Sequence, residues 1–225
     1  MSTQLAGMTV VLSCAACAHG AMLSGTPLIG PDTRNGSFEA DSIALEEPSD
    51  FSGMDGITNW TLWEDLPREV GDGSSGVIQS PNASDGTMTL ILQPVSGAVV
   101  NLTDYVVQEG DIFCYLWDGV FRFDMPWVLP TVSLVYQNDE SVIVPIPGTE
   151  TTRQTLDNPQ LDIGLTWVAE PGSPVIGNRI GIGIDNHNSE KFPEFDNFRL
   201  SVVPTPGTSL PCAIAGAAAF RRRRV

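Results

Sequence analysis

Phe195-Asp196-Asn197-Phe198-Arg199-Leu200-Ser201-Val202-Val203 puts Phe198, Leu200 and Val202 on one side of an extended chain and Arg199, Ser201 and Val203 on the other. A period of two marks a strand with one face on a core. The alternation recurs upstream, where Met88, Leu90 and Leu92 oppose Thr87, Thr89 and Ile91, and Val132, Leu134 and Tyr136 oppose Thr131, Ser133 and Val135. Ile180, Ile182 and Ile184 alternate with Gly181 and Gly183. One face of that strand therefore lacks two side chains, so a loop, another backbone or a ligand can come close. Relief of crowding under a neighbouring loop is the simpler expectation. Between residues 33 and 203 there is no sustained helical period, internal repeat or heptad run.

Turn chemistry divides these strands. Asp118-Gly119 is predicted to close a two-residue hairpin between Ile112 to Trp117 and Val120 to Asp124. Asn138-Asp139-Glu140 separates Val132 to Tyr136 from Val142 to Ile146, and Pro and Gly clusters at Pro145 to Gly148 and Pro171 to Gly177 stop anything longer. About ten short strands in this length predict an all-β fold, an antiparallel β-sandwich or jelly roll.

The chain has 225 residues, enough for one domain with short appendages. It carries 27 Asp and Glu against 11 Lys and Arg, a net charge of −16, and Arg221 to Arg224 supply four of those cations. Without that run the balance is 7 against 27, or −20. So acidic a body repels phosphate backbones and anionic lipid, which excludes nucleic acid as a partner. Cys14, Cys17 and Cys212 lie in the terminal apolar stretches, leaving Cys114 alone in the body. One thiol makes neither a disulfide framework nor a cysteine zinc site.

Both ends read as targeting segments. Met8 to Ala18 is apolar or small and leads to Ala18-His19-Gly20-Ala21, which predicts a signal peptide over residues 1–20 cut before Ala21. Alternatives are a buried first strand or helix and, from Val11-Leu12-Ser13-Cys14, a lipoprotein signal. At the other end Val203-Pro204-Thr205-Pro206-Gly207 precedes an apolar run, Thr208 to Phe220, and then Arg221, Arg222, Arg223 and Arg224. This order resembles the PEP-CTERM (exosortase-type) sorting signals, with Thr205 where that family usually has Glu. The resemblance implies that Pro204, Pro206, Gly207 and the four arginines form a sorting signal over residues 204–225, read by a signal-processing membrane protease. At about 1.5 Å per residue the apolar run reaches only about 20 Å, short of a ~30 Å hydrocarbon core, so membrane contact is expected to be transient. The basic cluster is expected on the cytoplasmic side. A surface helix with a solvated basic tip is the alternative.

The body, residues 21–203, also carries short motifs at its two ends: Asn35-Gly36-Ser37-Phe38-Glu39, then Ile57-Thr58-Asn59-Trp60, and finally Phe195-Asp196-Asn197-Phe198-Arg199-Leu200. These resemble the galactose-binding-like jelly rolls, which include many carbohydrate-binding modules. In them the first strand carries Asn-Gly-x-Phe-Glu and the last a hydrophobic-Asp-Asn/Asp-hydrophobic motif, and Asn59 stands here for a common Gly. The resemblance implies a jelly roll flanked by short terminal apolar helices. It also implies a structural Ca2+ ion between first and last strands, held by Glu39 and Asp196, with Asp41 and Asn197 nearest to complete its oxygen shell. The alternative for Glu39 is an ion pair with Arg199 or Arg34.

Sugars present C–H faces to aromatic rings and hydroxyls to carboxylates, so Trp63, Trp127 and Tyr105, with Glu64 and Asp65 beside Trp63, are the candidate ligand-binding residues. Trp60 and Trp117 are expected in the core. No catalytic residues are assigned: His187 lies alone in a polar loop, and Gly-x-Ser-x-Gly and His-Glu-x-x-His are missing. The expected function is that of an exported, non-enzymatic cell-surface or extracellular-matrix domain with a polysaccharide as partner. The alternatives are a secreted polysaccharide hydrolase using a carboxylate pair and a purely structural envelope protein.

Overall fold

The computed structural model describes residues 25–41, 57–63, 76–92, 98–120, 130–152, 159–186 and 193–205. The chain order is β1 (Thr26–Ile29), a 3-10 turn (Glu39–Asp41), β2 (Thr61–Leu62), β3 (Gly76–Gln79), β4 (Met88–Ile91) and β5 (Ala98–Val106). Then come β6 (Ile112–Val120), β7 (Thr131–Gln137), β8 (Ile143–Pro145), β9 (Gln160–Val168), β10 (Arg179–Asp185) and β11 (Glu194–Val203). One sheet has the order β3-β4-β11-β6-β9, with β1 also paired to β11; the other runs β2-β5-β10-β7-β8. All the strand pairs are antiparallel. From β4 to β7 the chain crosses between the sheets at every step, and it does so again from β8 to β11. The fold is a β-sandwich with jelly-roll-like connections.

The alternating residues face inward as their period requires. Met88, Leu90, Val132, Leu134, Ile180, Ile182, Ile184, Phe198, Leu200 and Val202 share one buried cluster between the sheets. At roughly 1.5–3 kcal/mol for each large side chain taken from water, this layer is the main source of stability. The outward glycines of β10 explain themselves. A Cβ on Gly181 would lie 2.2 Å from the Asn101 carbonyl oxygen, and one on Gly183 would lie 2.7 Å from both the Trp63 ring and a Val135 methyl. Relief of crowding is the outcome, with the β5 backbone at one glycine and an indole at the other.

The two end motifs meet in space. Phe38 packs against Trp60 at 5.4 Å and against Phe198 at 6.0 Å, and Trp60 meets Phe198 edge-on at 5.1 Å. The Trp60 indole N–H donates to the Asn35 carbonyl, and the Phe198 N–H donates to that of Gly36. Any Cβ on Gly36 would sit 2.2 Å from the Phe198 carbonyl oxygen, so only glycine fits this crossing. The first motif is not on a strand, as the resemblance implied. Arg34, Asn35 and Phe38 all have positive φ, near 55–65°, and the segment turns between β1 and the 3-10 turn. Asn59 has φ 64°, which is why it can stand for glycine: Asn tolerates the left-handed region better than most residues.

The Asp118-Gly119 hairpin is overturned. Both residues lie inside β6, with Asp118 opposite Asp196 and Gly119 opposite Phe195, while Gly119 also faces Gln160 of β9. Pairing on both sides keeps the strand extended. The turn after β7 forms as expected: the Asn138 carboxamide oxygen accepts the N–H groups of Glu140 and Val142, and Ser141 has φ 64°.

Candidate functional site

The terminal segments, residues 1–20 and everything from Pro206, lie outside the described residues, as do Glu64, Asp65, Trp127 and His187. Among the described residues no helix is long and apolar enough to cross a membrane. Chain contacts to the body continue through Thr205, whose N–H donates to Asp111 and whose hydroxyl donates to the Glu109 carbonyl.

The structure separates the other sequence-assigned residues. Trp63 is buried, its ring over Gly183 beside Ala98, Val100 and Val135, so it offers no open stacking face. Tyr105 is half-buried; its hydroxyl donates to buried Asp111 at 2.8 Å, and burial together with that carboxylate pushes its pKa up. Trp60 and Trp117 are in the core, as expected.

The two assigned metal ligands hold a loop. The Glu39 carboxylate accepts the N–H groups of Thr87 and Met88, each at 2.6 Å. Asp196, buried on β11, accepts the N–H groups of Ser84, Asp85 and Asn197 at 2.7–2.9 Å and the Ser84 hydroxyl at 3.0 Å. Asp41 likewise accepts from the Thr58 N–H and hydroxyl and from the Asn35 amide. Asn197 points its amide nitrogen at Asp118. Each of these carboxylates already has N–H donors holding it, so a cation between Glu39 and Asp196 would have to share their oxygens with the loop. Arg34 and Arg199 are not partners of Glu39: Arg34 pairs with Asp104, and Arg199 with Asp118 and Asp162.

Asp196 and Asp118 nevertheless form a cross-strand carboxylate pair bridged by the Ser84 hydroxyl, which lies 2.7 Å from Asp118 and 3.0 Å from Asp196. Burial pushes Asp196 up to about 6, against the opposing pull of its N–H and hydroxyl donors. Arg199 and the Asp162 N–H complete the shell of Asp118. With both carboxyls 2% exposed or less, this is a buried brace between the loop and two strands.

An accessible site lies about 17 Å along β6 from that brace, at roughly 3.4 Å per residue from Asp118 to Phe113. There β8 and β9, the terminal strands of the two sheets, approach each other. A cavity of about 330 Å³ between them is lined by Tyr136, Val144, Pro145, Ile146, Pro147, Trp167, Ser173, Pro174 and Val175. A second, of about 250 Å³, adjoins it across Trp167 and Ser173 and is lined by Val168, Glu170, Pro171 and Gly172. The Trp167 ring packs on Phe113 at 5.8 Å, which fixes its position.

Two like turns bracket the site. Ile146-Pro147-Gly148-Thr149 and Glu170-Pro171-Gly172-Ser173 are each closed by an N–H of the fourth residue donating to the carbonyl of the first, at 3.2 and 3.1 Å. Proline at the second position and glycine at φ 80° and 78° at the third are what a type II turn demands. Asn178 ties the next turn down through the Pro174 carbonyl. The walls are therefore rigid before any ligand arrives. Sequence reading missed Trp167 and placed Tyr136 only as a strand residue, because both follow an ordinary core alternation. The signal that could have found them was the pair of Pro-Gly turns, read only as strand breakers.

No protein-family model and no curated protein matches the chain. Among solved structures, the apo form of a cyclase from Fischerella sp. has a TM-score of 0.58 at 18% identity, covering 81% of this chain and 98% of that one. A ligand complex of a cyclase from Fischerella sp. TAU gives 0.58 at 19%, covering 81% and 100%. A CBM22-1 xylan-binding domain from Paenibacillus barcinonensis Xyn10C gives 0.48 at 13%, covering 80% and 97%. At such identities the likeness to the cyclases is one of fold.

Proposed function

We propose that this chain is an exported, non-catalytic glycan-binding domain whose sugar site is the cavity between β8 and β9. The observation that carries the reading is the lining of that cavity: the half-buried Tyr136 ring with Pro145, Pro147 and Pro174 over a base of buried Trp167, and the polar Ser173 and Glu170 at the turn. Apolar ring faces with a few convergent polar groups suit a pyranose, which is apolar on its faces and hydroxylated at its edges. The N-terminal apolar segment and the C-terminal Pro-Thr-Pro-Gly, apolar and arginine order support delivery to the cell surface or extracellular matrix, with a membrane protease acting on the tail. Fractionation tests that part: full-length chain, uncut at both ends and found in the cytosol, would overturn it.

A carboxylate-pair hydrolase is the rival, and Asp118 opposite Asp196 is the observation in its favour. Both carboxyls are buried and their oxygens accept hydrogen bonds from the protein, so a glycosidic oxygen has no approach to them. Affinity retention on a panel of soluble and insoluble polysaccharides separates the readings. Saturable retention without release of reducing ends is expected, and Tyr136→Ala should weaken it; hydrolysis of the retained glycan would favour the rival.

A further inference from the structure

We infer that the cavity between β8 and β9 takes the end of a neutral glycan, one or two rings deep, and turns away uronic-acid units. This rests on the glycan-binding reading and names the ligand class for the same site. Size limits the depth: cavities of about 330 and 250 Å³ stand at or below the lower end of the ~300–1,000 Å³ range of small-ligand sites. The two Pro-Gly turns close the site on either side and, being fixed by their own hydrogen bonds, do not yield to a longer chain.

Charge decides the class. Among the described residues, Glu170 is the only charged one lining either cavity, and no described Arg lines them. The described arginines are committed elsewhere: Arg34 and Arg179 to Asp104, and Arg199 to Asp118 and Asp162. A uronate entering here would meet a like charge with no cation to offset it, inside the field of a chain of net charge −16. A neutral sugar meets complementary groups. The Glu170 carboxylate accepts from a hydroxyl, and Ser173, whose oxygen accepts the Val175 N–H at 3.4 Å, keeps its own O–H to donate.

The test is titration calorimetry of the purified full-length chain with neutral hexose oligosaccharides of one to six units and with uronic-acid oligosaccharides of equal length. Neutral affinity should stop growing at about two units, and the uronic series should bind at least about tenfold more weakly at low salt. Glu170→Gln should narrow that gap, read as the ratio of uronic to neutral affinity measured on the same variant, and 1 M salt should narrow it too, because screening shortens to about 3 Å. Uronic oligosaccharides that bind as tightly as neutral ones at low salt, or neutral affinity that climbs through six units, would overturn the inference while leaving glycan binding in place. Folded protein that binds neither series overturns the proposed function, and the inference with it.

Discussion

Asp196 shows how one side chain ties the last strand to a loop 111 and 112 residues earlier, through the Asp85 and Ser84 N–H groups. Its folded-state pKa of about 6 lies above the ordinary 3.8, so the folded protein holds this proton more tightly than the unfolded chain does. The group's contribution to stability therefore grows as pH falls through about 6 and levels off below 3.8. Urea unfolding of the wild type and Asp196→Asn at pH 7.5 and 5 should show the wild type gaining about 1.4 kcal/mol relative to the variant on acidification. Equal pH slopes would refute the assignment. Gly36 makes a sharper case, since the Phe198 carbonyl oxygen occupies the place of a Cβ. Gly36→Ala should cost about 3 kcal/mol or more, or leave no folded protein, as judged by circular dichroism. The Asn-Gly-x-Phe motif was legible in the sequence, but its strand assignment was not: the positive φ angles that bend it answer to Trp60 and Phe198, which are far along the chain.

Strands whose side chains face core on one side and something softer on the other were readable from their period alone, and β4, β7, β10 and β11 follow it. Asp118-Gly119 failed because a turn dipeptide carries no information about its neighbours, and here β11 and β9 pair with it on both sides. The cavity was illegible for the same reason, since it joins β8, β9 and two turns that only the fold brings together. On β10, Trp63 fills the space that Gly183 leaves. Gly183→Ala should destabilise by about 1–3 kcal/mol in the wild type and by less in a Trp63→Ala background, a coupling that a double-mutant cycle of unfolding free energies detects. Additive losses would mean the two do not share that space. In the turn before Ser173, Gly172→Ala meets no neighbour but must hold φ 78°, so it should cost about 1 kcal/mol and loosen glycan retention together.

The molecule as a whole is a sandwich held by its apolar layer, with hydrogen-bonded carboxylates bracing its loops. Its melting temperature should accordingly be unchanged by EDTA and by added calcium; a rise of several degrees with calcium would contradict the hydrogen-bonded arrangement of Glu39 and Asp196. Ligand binding is assigned to the open edge between the two sheets, where fixed turns present the half-buried Tyr136 ring and the exposed Glu170 carboxylate beside the buried Trp167. Heteronuclear NMR titration of the full-length chain with a neutral hexose oligosaccharide tests it most directly. Saturable shifts confined to Tyr136, Val144 to Pro147, Trp167 and Glu170 to Val175 are expected, and they should be lost in Tyr136→Ala. Saturable shifts centred elsewhere, or none with the protein folded, would contradict it.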